Sequence, residues 1–104
     1  MTDVEAESGE VEGDYEASRG PLPPIDFRIL VLSMNTSALI QLGEAPREDG
    51  AHEVDLPMAQ QTIDMLVILE EKTRGNLTGD EERLLHQVLF DLKMRFVRCS
   101  TQGC

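Results

Sequence analysis

Cysteine is scarce in this sequence: Cys99 and Cys104 are the only two in 104 residues, and both lie at the C-terminal end. A disulfide framework ties distant segments together, and this pair has none to tie. Two thiols supply only half of a structural zinc site's four ligands, so a site would have to borrow others or form across a dimer. Bases are outnumbered, nine against twenty acids, for a formal net charge of −11. Such a chain repels phosphate backbones, and nucleic-acid binding would need a basic stripe to override that. Only Lys93, Arg95 and Arg98 cluster. They fall in the last turns of an expected helix, where positive charge complements the helix dipole. Long apolar runs are missing too. The uncharged stretch from Ile29 to Gly43 is the longest, at 15 residues. A bilayer span needs roughly 18 to 20. The first residues are acidic and lack an apolar core, so no signal peptide is expected. These absences predict a soluble, cytoplasmic chain with neither a membrane nor a nucleic-acid partner. No strand pattern and no internal repeat competes with the helical reading below.

What is present begins with acid. Residues 1–20 hold seven acids against Arg19 alone, a net charge of −6. Residues 1–24 are poor in apolar side chains and end in Gly20-Pro21-Leu22-Pro23-Pro24. That composition predicts a disordered acidic tail. It can serve as a solvating segment or dock on a basic partner, and solvation is the simpler role.

Residues 25–98 read as an all-α domain, a small three-helix bundle. The first helix is expected from Asp26, an N-cap, to Gly43, which can take the left-handed conformation that stops a helix. Ile25 and Leu30 are spaced to form a hydrophobic staple across its start. The second helix is expected over Leu56 to Arg74, with Asp55 as cap, Pro57 in the first turn and Gly75 as stop. Its stripe is Leu56, Ala59, Ile63, Leu66 and Val67, widened by Met58, Met65 and Leu69. The third opens with Thr78 and Glu81, spaced as a capping box, and carries a main stripe of Leu84, Leu85, Val88, Leu89, Leu92 and Phe96. Residues 44–54 form a loop with a turn at Asp49-Gly50. Residues 99–104 are expected to be a flexible end, with Cys99 extending the stripe and Cys104 a terminal thiol.

Two helices carry more apolar surface than one core needs. On the first, steps of about 100° put Phe27, Leu30, Val31, Met34, Ala38 and Leu42 on one face. Ile29, Leu32, Leu39 and Ile40 fall near the other. On the third helix, Phe90, Met94 and Val97 form a second patch. Leaving four large apolar side chains wet forgoes about 6 to 10 kcal/mol, as much as a domain's whole stability. The expectation is an oligomer, preferentially a two-fold dimer, with those seven residues as its interface. The resulting function is an oligomerising protein-interaction module, with a further protein partner as an extension. The alternative is a small-molecule binding module with an apolar ligand between helices, oriented by Ser33, Asn35, Thr36 and Ser37. Their simpler role is close helix packing, with hydroxyls bonded back to the helix.

Signals for catalysis are weak, and no catalytic, metal-binding or cofactor-binding residue is assigned. His86 has Glu82 at i−4, a spacing that usually means surface electrostatics. His52 lies in the loop. Glu70 with Arg74 and Asp91 with Arg95 are spaced as ordinary helical ion pairs. There is no phosphate loop and no nucleophile elbow.

The ordered set of IDF at 25–27, TSALIQLGE at 36–44, QTIDML at 61–66, KTRGNLT at 72–78 and LKMRFV at 92–97 resembles a known family. It is similar to the bacterial family of unknown function numbered 1844, over roughly residues 25 to 98. The resemblance implies a small, mostly helical protein and brings no activity, cofactor or site residue. The tail, the loop at Arg47–Glu53 and both cysteines lie outside it, and Met34-Asn35 departs from the smaller residues expected there.

Overall fold

The structure is a computed structural model that describes residues 21–104. Most of the expected acidic tail, residues 1–20, lies outside the described residues. Residues 21–26 are exposed and have no regular secondary structure. Three helices follow: α1 (Phe27–Gln41), α2 (Leu56–Lys72) and α3 (Gly79–Gln102). Each packs against both others. Among the described residues there is no strand, only an isolated antiparallel bridge between Leu42 and Val54.

The helix ends follow from local chemistry. The Asp26 carboxylate accepts the Ile29 N–H at 2.9 Å, and Asp55 accepts that of Met58 at 3.1 Å. Both satisfy first-turn amides that have no partner inside the helix. At α3 the capping box closes in both directions. Thr78 Oγ1 accepts the Glu81 N–H at 3.2 Å, and Glu81 Oε1 accepts the Thr78 N–H at 2.8 Å. The end of α1 is a Schellman turn. The Glu44 N–H donates to Leu39 O and the Gly43 N–H to Ile40 O, with Gly43 at φ +77°.

One face per helix meets at the core. It takes Val31 and Ala38 from α1, Leu42 from the cap at its end, and Ala59, Ile63 and Leu66 from α2. From α3 it takes Leu85, Val88, Leu89, Leu92 and Cys99. Thr62 is buried among them, and its hydroxyl donates to Gln41 Oε1 at 2.7 Å, joining α2 to α1.

Four expectations need correction. The staple does not form a buried pair, because Ile25 and Leu30 are both exposed. Helix α2 ends at Lys72, not Arg74; the Thr73 N–H and hydroxyl both donate to Leu69 O and close the helix there. The segment from residue 99 is not irregular throughout: α3 continues to Gln102, and the Gly103 N–H caps Cys99 O at 2.9 Å. Cys104 is not a terminal thiol. It is bonded to Cys99, with the two Cα atoms 4.7 Å apart.

Candidate interaction surface

The outward face of α3 holds the clearest unpartnered apolar patch. Phe90, Met94 and Val97 recur at i, i+4 and i+7 and so share one side of the helix. They are 69%, 50% and 55% exposed. The patch leans toward α2. There Val97 joins Phe96, Val67 and Ile63 along an open groove edged by Gln60, Asp64 and Lys93. Its other flank is charged. Arg95 Nε donates to Asp91 at 2.7 Å, and the same guanidinium bonds Glu44 at the end of α1. The hydrogen bond to Asp91 is the main reason the Arg95 guanidinium lies above its ordinary pKa, with Glu44 adding to it. The expected Asp91–Arg95 pair therefore forms, and it also bolts α3 to the turn after α1. Arg95 is consumed in this contact, so the cluster with Lys93 and Arg98 is not a free basic stripe.

The four expected residues of α1 separate into different environments. Leu32 is 43% exposed. Ile29 is half-buried. Leu39 is half-buried and packs against the core, so this copy of the chain already uses it. Ile40 is half-buried because the 44–54 loop folds beside it, with Arg47 and Val54 lining the same clefts. That loop is pinned at several points. Arg47 bonds Glu53 and Asp49, and the turn closes through the Gly50 N–H on Arg47 O. His52 Nδ1 lies 3.0 Å from Gly43 O. On α3, the contact with the α1 turn is on the Arg95 side, and Phe90, Met94 and Val97 face away from it.

A third exposed group escaped the sequence reading. Met58, Met65 and Ile68 of α2 are all 42% exposed or more. Periodicity had placed the two methionines at the edge of the buried stripe and gave Ile68 no role. At about 100° per residue these three fall within about 80° of each other, which was the available signal.

The polar residues considered for ligand orientation do not gather. Ser33, Thr36 and Ser37 are exposed, and the Thr36 hydroxyl donates back to Leu32 O at 3.1 Å. Asn35 sits on the opposite flank with Oδ1 buried and unpartnered. The histidine pairing also differs from expectation. His86 Nε2 lies 2.8 Å from Glu70 on α2, rather than meeting Glu82. The α2–α3 turn brings those helix ends together, so Glu70 turns across to His86 instead of along its own helix to Arg74. Among the described residues, no group of three or more His, Cys, Asp or Glu side chains could hold a metal ion. None of these helices is long and apolar enough to cross a membrane.

Comparison with known proteins adds one match. The family model described as Domain of unknown function (DUF1844) covers residues 24–98, from just before α1 to the last turns of α3. No curated protein and no solved structure matches the chain.

Proposed function

We propose that this chain, which belongs to the DUF1844 family, is a protein-interaction module that self-associates through the outward face of α3 and has no catalytic role of its own. The observation that carries this reading is the Phe90–Met94–Val97 stripe, with each side chain at least half exposed on a helix whose other face is fully used. Burying what remains exposed would contribute about 3 to 5 kcal/mol per copy. Two copies contribute about 6 to 10, against an association cost of about 4 to 15. The expected dimer is therefore weak, with a dissociation constant of about 40 μM or higher.

A second copy fits the flank as well as the stripe. In an antiparallel pair with its two-fold axis at Met94, Phe90 of each copy comes level with Val97 of the other, within about 1.5 Å along the axis. The axis also brings each flank beside its own equivalent. Asp91 and Arg98 lie on one flank and are exposed, so each Asp91 meets the other copy's Arg98. On the opposite flank the two Lys93 side chains approach, and Asp64 across the groove offsets their charge. The α1 patch is a lesser contributor, since Leu39 and Ile40 already have cover within the chain.

Sedimentation equilibrium of the wild type and the Phe90→Glu variant tests the proposal. Wild type should show a concentration-dependent dimer over about 40 μM to 1 mM. The variant should stay monomeric with unchanged helicity, because Phe90 is outside the core. A wild type that is monomeric at millimolar concentration, or a variant that still dimerises equally well, overturns it.

A further inference from the structure

The last turn of α3 brings one buried and one exposed sulfur together. Cys99 faces the core and is 7% exposed, whereas Cys104 is exposed. Gly103, at φ +90°, reverses the chain after Gln102 and donates its N–H to Cys99 O. That reversal returns Cys104 to the helix, and the Cα separation of 4.7 Å falls within the range a disulfide tolerates. The bridge spans a sequence separation of five and crosses no other element. It therefore constrains only the end of one helix. Little of the folding energy can depend on it, and by reciprocity the fold does little to protect it from reduction.

We propose that Cys99 and Cys104 form a reversible dithiol–disulfide site that exchanges with small soluble disulfides, with Cys104 as the entering thiol and Cys99 as the resolving one. Exposure assigns the order, because an incoming disulfide can reach Cys104 and not the core-facing Cys99. In the first step the Cys104 thiolate attacks one sulfur of the small disulfide. A mixed disulfide forms on Cys104, and one small thiolate leaves. In the second step Cys99, having given up its proton to solvent, attacks Cys104 Sγ and expels the second small thiolate. The two cysteines lose two electrons and two protons; the small disulfide becomes two thiols. Burial and the negative end of the helix dipole both disfavour a thiolate at Cys99. The second step is therefore the slower one.

The test incubates reduced full-length protein with oxidised glutathione and follows intact mass after acid quenching. Wild type should pass through one glutathione adduct and end as the adduct-free, bridged form. Added reduced glutathione should restore both thiols. Cys99→Ser should stop at a stable single adduct on Cys104. Cys104→Ser should react at least tenfold more slowly than Cys99→Ser, because its remaining thiol is buried. Circular dichroism checks that each variant is folded, and Cys99→Ala replaces Cys99→Ser if the serine is not tolerated in the core. Equal adduct rates for the two single variants, or a wild type that ends as a stable adduct, overturn the proposal.

Discussion

Replacing Gly43 by alanine tests what holds the 44–54 loop against α1. The residue has φ +77°, and a Cβ there would stand 2.8 Å from Val54 Cγ2. Gly50 supplies the control: its φ is +85°, but an added Cβ meets nothing within 4 Å. Both substitutions carry the left-handed backbone penalty of about 1 to 2 kcal/mol. Both also gain about 0.4 to 1 kcal/mol from a stiffer unfolded chain. Gly50→Ala should therefore cost about 1.5 kcal/mol or less. Gly43→Ala must in addition push Val54 away. Val54 forms the bridge with Leu42, and the next residue donates its N–H to Gln41 O at 2.7 Å. Crowding of this kind costs about 1 to 3 kcal/mol. Val54 is exposed and can partly yield, so the lower half of that range applies. The expected total is about 2 to 3 kcal/mol for Gly43→Ala. Urea unfolding followed by circular dichroism measures both variants against wild type. Equal costs at the two positions would refute the reasoning, since the backbone penalty would then be the whole effect and the Val54 contact would hold nothing.

Leu39→Ala should destabilise the monomer by about 1 to 3 kcal/mol, a partial share of the usual core cost, while Leu32→Ala should cost well under 1; thermal melts that reverse this order would return Leu39 to the outer surface. Thr62→Val should cost about 1 kcal/mol by removing the hydroxyl that Gln41 accepts, read by the same urea titration, and a neutral result would mean water replaces that bond fully. The Asp49 carboxyl lies below its ordinary pKa, first because the Ala51 N–H donates to it at 2.9 Å and then because Arg47 is beside it. A lowered folded pKa stabilises the loop at neutral pH, and that contribution disappears as pH falls through the folded value, below the ordinary aspartate range. Carboxyl NMR titration of Arg47→Ala should still find Asp49 below the ordinary value; a full return to it would make Arg47 the main cause.

Caps and core were legible in the sequence because they are local or periodic. Asp26, Asp55 and the Thr78–Glu81 box each act within one turn, and the stripe residues Leu66, Leu85 and Leu92 needed only helical spacing to be placed. The surface was harder because exposure is decided by what packs alongside. Leu39 and Leu32 lie close together on a wheel, but Leu39 is near the end of α1 where the chain turns back and packs against the core, while Leu32 stays exposed. Ile40 is covered by a loop whose course depends on Gly43 and on the Arg47 ion pairs, neither of which has a period. His86 shows the same limit in electrostatics: spacing offered Glu82, and the turn between α2 and α3 brought in Glu70. α3 escapes this because it is the longest helix and its partners cover only one side. Among the described residues no neighbouring element reaches round to Phe90 and Met94, so an apolar residue outside the main stripe stays exposed there. That is why the patch expected on α3 stays open among the described residues while the one on α1 is half closed, and why the proposed self-association is assigned to the third helix rather than the first.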